Sequence, residues 1–343
     1  MKNYKKKYLA QSQHHGSVVH EPSPYYGQRC LHCYEPLKES DTYVHQACNK
    51  RFYGQLGTPQ LGYRLQDLDE LASKVILSQM AVTGVQAKIS LSLHRKEDKN
   101  LAKKLTIVGL YGDYILKPPS GYYPQLPELE SVTMHMAAAC GLMVVPHSLI
   151  YLEDGTLCYI TKRVDRTRKV KLHMEDMCQL SERLSEDKYK GSHEQVAKLI
   201  LKYSSNPILD VSNFYELVLF SFFTGNADMH LKNFSLLESE ESGFALSPAY
   251  DLVPTAIVNP ADTEELALTL NGKKRKLNYN DFLSAYNLCG LNKKVLDNTL
   301  ELFKYCKPEM LQMLDKSFVQ DEYKAKFQTL INARFEQLGL GYV

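Results

Sequence analysis

From Val85 the chain alternates without a break. Val85, Ala87, Ile89, Leu91 and Leu93 fall on one face, and Gln86, Lys88, Ser90 and Ser92 on the other. A period of two predicts a β-strand with one wet face. Leu105–Val108 and Tyr114–Lys117 predict two more short strands around a glycine-containing turn. HSLIYL and TLCYITKRVDR flank Asp154-Gly155, a strong hairpin signal. Between these strand pairs, the run from Pro127 to Cys140 opens on proline and stops at Gly141, which is the punctuation of a helix. Ahead of them, residues 58–80 read as a linker and then a helix striped by Leu68, Leu71, Val75 and Ile76.

Beyond residue 163 the pattern turns helical, with helices predicted over MEDMCQLSERL, HEQVAKLILKY and LDVSNFYELVLFSFFTG. The last is apolar nearly all round and predicts a buried helix with Gly225 as its C-terminal stop. Phe244 and Leu246 predict a short strand before Pro248, and Asp262–Lys276 a hairpin turning at Asn271-Gly272. The remainder is helical. This order predicts an α+β, two-lobed fold: a strand-rich lobe, a helix-rich lobe and a ligand cleft between them. The expected division is a mobile basic tail at 1–27, a small Cys/His segment at 28–57, a strand-rich lobe at 58–162 and an all-helical lobe at 163–343.

The 343 residues are 44% apolar and carry a net charge of +2, so nothing in bulk composition pulls the chain toward nucleic acid or membrane. No apolar run reaches 18 residues, and MKNYKKKYLAQSQHHG lacks an apolar signal core. Five scattered cysteines lie in apolar surroundings, as buried thiols of a reducing compartment do, which points to the cytoplasm. The other three cluster. Cys30 and Cys33 form C-x-x-C, His45 follows twelve positions later, and Cys48 three after that. Two close pairs of soft ligands can close a tetrahedral Cys₃His zinc site, structural in kind, that stabilises a segment too small for its own core. A chance cysteine pair beside a surface histidine has the same spacing.

Candidate chemistry concentrates in FFTGNADMHLKNFSLLESEESGFALSPAYD. Asp228 and Asn233 make a D-x-x-x-x-N run, and Asp251 follows about twenty residues on. Kinases use such a set: the first Asp takes the proton of the attacking hydroxyl, and the Asn and later Asp hold Mg²⁺ against the transferred phosphoryl group. Turn and cap residues show the same spacing. Lys117 at a strand end, ahead of a helix bearing Glu130, matches a phosphate lysine with its ion-pair partner; a lysine snorkelling at the surface reads alike. Thr83-Gly84 is either a plain turn or a backbone cradle for phosphate.

Taken together, TGVQAK, YILKPP, the Glu130 helix, KRVDR with HMEDMCQL, NADMHLKNFS and LSPAYD resemble the HipA family of serine/threonine protein kinases, over roughly residues 75–290. These are toxins of toxin–antitoxin systems. The resemblance implies Mg-ATP chemistry on a protein- and phosphoinositide-kinase-related fold. It implies Asp228 as catalytic base, Asn233 and Asp251 as Mg²⁺ ligands, and Lys117 on the nucleotide phosphates. It sets Lys162, Arg163 and Val164 at the adenine hinge, largely through backbone. His230 and Lys232 fall in the catalytic loop, against the γ-phosphate or Asp228. Gln179 and Tyr189 mark helices along the cleft, with packing an equal role for them. As partners it implies a protein substrate such as an aminoacyl-tRNA synthetase and a HipB-like DNA-binding antitoxin, with no direct nucleic-acid or membrane contact. About 80 residues precede the match, so this looks like the compact branch, whose small N-terminal lobe is missing or is a separate protein. A pseudokinase or interaction module, and a small-molecule or lipid kinase, stand as alternatives; a zinc-dependent nucleic-acid binder is the weakest.

The phosphate loop departs from the family pattern at one position. Where the family carries a regulatory serine in its phosphate loop, this chain has Ala81, with hydroxyls nearby on Ser78 and Thr83. Autoregulation then moves to Thr83, which abuts Gly84, or is absent. Phosphopeptide mapping after incubation with Mg-ATP should find phosphate on Thr83; an active enzyme with unmodified Thr83 would remove that site from consideration.

Overall fold

Five strands, β1 (Ile89–His94), β2 (Lys104–Ile107), β3 (Tyr114–Lys117), β4 (His147–Tyr151) and β5 (Leu157–Lys162), form one antiparallel sheet in the order β2-β1-β3-β5-β4. The period of two sorts its side chains. Leu91, Leu105, Leu116, Cys158 and Ile160 face a small core completed by Phe52 and Tyr53 of α1 (Gln46–Tyr53). Leu149 and Tyr159 face the other way, into the main core, where α2 (Leu126–Ala139) packs on the sheet. This computed structural model describes residues 29–68, 70, 87–94, 104–108, 112–167, 170–239 and 243–341. The expected tail at 1–27, Ser78, Ala81, Thr83 and Gly84 lie outside the described residues, as does most of the helix expected before Met80.

The helix-rich lobe is built around α5 (Pro207–Thr224), after α3 (Met177–Leu180) and α4 (His193–Tyr203). Phe214, Phe220, Phe222 and Phe223 of α5 are fully buried, as an all-round apolar helix requires. Gly225 ends it at φ +66°, and a Cβ there would come within 2.4 Å of a Leu330 methyl, so only glycine fits. α7 (Tyr279–Leu288), α8 (Lys293–Lys316) and α9 (Asp321–Gln337) follow the short α6 (Thr255–Val258); α8 and α9 pack on α5, and α8 also packs along α2 of the other lobe.

Three expectations are corrected. The second lobe is not all-helical: β6 (Met174–Asp176), β7 (Ser235–Ser239) and β8 (Gly243–Leu246) form a three-stranded sheet. Helix does not run through MEDMCQLSERL, because Met174–Asp176 pairs with Ser235–Leu237 and Asp176 becomes the N-cap of α3 in a capping box with Gln179. The hairpin expected over Asp262–Lys276 contracts to a bridge between Leu270 and Lys273, around Asn271 and Gly272, both at positive φ. No helix among the described residues is long and apolar enough to cross a membrane.

Burial of histidine makes the fold acid-sensitive. His193 is fully buried between Phe214 and Phe234, with neither ring nitrogen hydrogen-bonded, and burial holds it down to about 3. Burial likewise lowers His147 to about 4. The unfolded chain protonates these rings below about pH 6.5, whereas the fold does not, so stability falls as pH falls toward those values. Melting temperature should drop between pH 7 and pH 5, and His193→Phe should flatten that slope in thermal melts.

Candidate active site

The strands and helices bring Lys88, Lys117, Glu130, Asp176, Lys232 and Asp251 from distant parts of the chain to one cleft of about 350 Å³ between the lobes. β3 ends on Lys117, whose side chain is 5% exposed. Its Nζ donates to Glu130 Oε1 at 2.5 Å, from the first turns of α2, and to Asp251 Oδ1. Lys88, on the wet edge of the strand lobe, donates to Asp251 Oδ2 at 3.0 Å. Lys232 donates to Asp176 Oδ2 at 2.8 Å on the floor of the same cleft. Asp251 follows Tyr250, whose hydroxyl donates to the Lys232 carbonyl and pairs with Ser235, so the residue before it is pinned to the segment 232–235. Asp251 itself stands at φ +62°, a left-handed conformation that Asp tolerates better than most residues and that fixed contacts must hold.

The electrostatics follow from burial and charge pairing. Burial opposes charge on Lys117, yet Asp251 and Glu130 outweigh it and keep the ammonium protonated beyond its ordinary range. Burial would raise Asp251 too, but Lys117 and then Lys88 hold its carboxyl well below the usual carboxylate range. Glu130, fully buried with Oε2 unpartnered, is pushed up to about 7 by burial, with Lys117 opposing. An ion pair of this kind costs desolvation, so its presence marks a site where charge is needed.

Behind α5 and Gly225 the loop turns sharply. Asn226 Oδ1 accepts from the Asp228 amide at 3.2 Å, and Thr255 Oγ1 accepts from the Ala227 amide at 2.8 Å. Asn233 Nδ2 donates to the Asp228 carbonyl at 3.1 Å, which leaves Asn233 Oδ1 as that side chain's ligand atom. Tyr189 packs edge-on against His230 and donates to Asp228 Oδ1 at 2.5 Å. Burial and then that carboxylate raise the Tyr189 hydroxyl above its ordinary value. Burial lowers His230; Asp228 and Asp251 both act on it in the opposite direction, so the two carboxylates share one electrostatic neighbourhood.

At the lobe junction the Lys162 and Arg163 amides donate to the carbonyls of Pro146 and Asp113, both at 2.8 Å. Val164 lines the cleft beside them. Gln179 also lines it, its side chain bonded to the Asp176 amide. Sequence reasoning missed Lys88 and Asp176 as members of this site, and the contact of Tyr189 on Asp228. Lys88 was legible only as a polar residue of an alternating strand; its reach to Asp251 spans 163 positions.

The second cluster lies in the N-terminal segment. Donor atoms of Cys30, Cys33, His45 and Cys48 all fall within 4.8 Å of one another. Pro36 O lies 2.9 Å from His45 Nε2, which places the hydrogen there and turns the Nδ1 lone pair to the thiols, 3.3 Å from Cys33 Sγ and 3.9 Å from Cys48 Sγ. The Cys33 hydrogen bond lowers the Cys30 thiol against the effect of burial.

A lysine bridging a helix glutamate and a cleft aspartate, between a strand-rich and a helix-rich lobe, defines a protein of the kinase-like fold class. The chain belongs to the HipA-like C-terminal domain family, whose family model matches residues 80–310. Among curated relatives, "Putative kinase Y4dM" of Sinorhizobium fredii is 30% identical over 234 residues, covering 64% of this chain and 56% of that protein. "Putative kinase Y4mE" of the same organism is 31% identical over 221 residues, covering 60% and 50%. A "Putative kinase" of Haemophilus influenzae is 28% identical over 278 residues, covering 72% and 76%. The chain spans about half the length of the two Sinorhizobium proteins. Among solved structures, HipA of Shewanella oneidensis, in complex with HipB and operator DNA, superposes with a TM-score of 0.65 at 22% identity, over 76% of this chain and 65% of its own. The Helicobacter pylori proinflammatory kinase CtkA superposes at 0.51 with 18% identity, over 72% and 93%.

The buried pair orders two substitutions. Lys117→Met strands the Glu130 carboxylate and should destabilise the fold by about 3 kcal/mol. Glu130→Gln should cost less, since Lys117 keeps Asp251. Urea unfolding of both variants measures the order, and wild-type stability in both would show that the triad contributes nothing to the fold.

Proposed function

We propose that this chain is an ATP- and Mg²⁺-dependent serine/threonine protein kinase of the HipA type, acting as the toxin of a toxin–antitoxin system. The observation that carries the reading is the Lys117 ammonium held jointly by Glu130 and Asp251 at the cleft. Such a lysine binds nucleotide phosphates while its glutamate fixes its position. The residues fit the absent group. Asn233 Oδ1 and the Asp251 carboxylate are hard oxygen donors suited to Mg²⁺, and the unpartnered Glu130 Oε2 has polar capacity left at the cleft wall. Lys162, Arg163 and Val164 are the proposed adenine hinge, acting largely through backbone, with the first two amides given to the Pro146 and Asp113 carbonyls. Bound Mg-ATP supplies the transferable phosphoryl group.

Asp228 then takes the proton of an acceptor hydroxyl as that oxygen bonds to phosphorus and ADP leaves. Its Oδ1 is held by the Tyr189 hydroxyl, which yields that position to the acceptor. Asn233 orients the Asp228 backbone, and Lys232 and Lys88 neutralise charge near the phosphates. From the sequence pattern alone, Thr83 and Gly84 are the proposed phosphate-loop residues. The acceptor is a serine or threonine of a protein, with an aminoacyl-tRNA synthetase as the proposed class. A HipB-like antitoxin or a separate N-lobe protein is the proposed regulatory partner, in the cytoplasm. The Cys₃His cluster fits Zn²⁺, a structural ion for soft ligands in tetrahedral number.

Transfer from γ-labelled ATP, with a cell lysate as acceptor source, tests the reading. Wild-type protein with Mg²⁺ should label a protein band, EDTA should abolish the label, and Asp228→Asn should lower the rate about a hundredfold or more. Label on a small molecule would redirect the assignment to a metabolite kinase. Tight Mg-ATP binding without any transfer would make the chain a pseudokinase.

A further inference from the structure

The Cys/His segment is wedged into the joint between the lobes, and the wedge touches the helix that carries Glu130. Cys30 and Cys33 bracket a tight turn: the Tyr34 amide donates to the Cys30 carbonyl and the Cys30 amide to the Glu35 carbonyl, both at 2.9 Å. That turn forces Tyr34 to φ +63°. A bulky residue adopts this conformation only where its surroundings over-determine it. Here the turn drives the ring into the core. Tyr34 is completely buried, 4.4 Å from His135 and 5.4 Å from Phe318 between ring centroids. Its hydroxyl donates to Ser131 Oγ at 2.7 Å. Ser131 is the neighbour of Glu130 in α2.

The same turn is anchored on both sides. The Leu31 carbonyl accepts from the Leu149 amide at 3.2 Å, which ties it to β4. Glu35 pairs with Lys316 at 2.7 Å, at the end of α8. The loop after α8 also holds the start of α2, through the Gln320 amide on Gln125 at 2.8 Å. The metal-ligand turn, α2 and the end of α8 therefore form one braced unit. The four ligand atoms close the loop only when something neutralises and holds them together.

We propose that the Cys₃His cluster, closed by Zn²⁺, is a strut that sets α2, and that Tyr34 is the positioning residue through which it holds Glu130 against Lys117. This rests on the kinase reading only for its effect on ATP use; the mechanical coupling stands apart from it. Zinc thus acts on nucleotide binding from a cluster that does not touch the nucleotide.

The full chain tests this by two readouts, hydrogen exchange of α2 amides and the KM for Mg-ATP. Purified protein should carry one zinc per chain by metal analysis. Stripping it with a strong chelator should speed exchange across Leu126–Ala139 and raise KM, with re-addition of Zn²⁺ restoring both. Tyr34→Phe should keep its zinc, speed α2 exchange and raise KM about threefold to tenfold, the scale of one lost hydrogen bond, with kcat nearly unchanged because phosphate binding is what weakens. Ser131→Ala added to Tyr34→Phe should cost nothing more, since both remove one contact. Protein that takes up no zinc, or a stripped or Tyr34→Phe protein with wild-type α2 exchange, would overturn the strut. Zinc-dependent α2 exchange in a protein that transfers no phosphate would uphold the strut and overturn the kinase reading instead.

Discussion

A lysine ammonium buried between two carboxylates holds this molecule's site in place. Lys117 comes from a strand, Glu130 from a helix packed on that sheet, and Asp251 from the loop after β8 in the other lobe. Taking three charges out of water is unfavourable unless each finds its partner. The bridge forms only when both lobes and α2 are in register, so the charge pairing reports on the whole arrangement. Lys88 completes the neutralisation by bringing a second cation to Asp251, which the left-handed backbone at that residue presents to both lysines.

The loop at residues 226–233, beside the cleft, is organised by backbone rather than by charge. The fully buried α5 stops at a glycine that has no room for a Cβ, and the chain turns at once into Asn226, Asp228 and His230. Three ties hold that turn: Asn226 to the Asp228 amide, Thr255 to the Ala227 amide and Asn233 to the Asp228 carbonyl. A rigid apolar helix thus carries a short polar loop whose geometry is set before any ligand arrives, as electrostatic preorganisation requires. Tyr189 then covers the Asp228 carboxylate, so access to it is controlled by a residue from outside the loop.

The N-terminal Cys/His segment extends the same logic. It packs its turn into the main core rather than standing apart, touching α2, β4 and the end of α8. The buried Tyr34 ring anchors it in that core, and the four soft ligands gather at the other end of the turn. Through Tyr34 and Glu35 the segment contacts both α2 and the end of α8.

Much of this was legible from residue order. Alternation gave β1, and the Asp154-Gly155 turn gave the β4–β5 hairpin. All-round apolarity ending at Gly225 gave α5, and spacing singled out the Cys₃His set and the Asp228, Asn233 and Asp251 pattern. These are local signals, set by periodicity, turn chemistry and ligand spacing within a few residues. Tertiary structure decided the rest. Met174–Asp176 became a strand because a partner edge at Ser235–Leu237 was available, overriding a helical pattern. Lys88 met Asp251 and Tyr189 met Asp228 only across folded distance. The Cys/His turn met α2 through contacts nearly a hundred residues apart in the chain. A sequence records which groups can pair; which of them do pair depends on the packing of apolar faces far from the groups themselves.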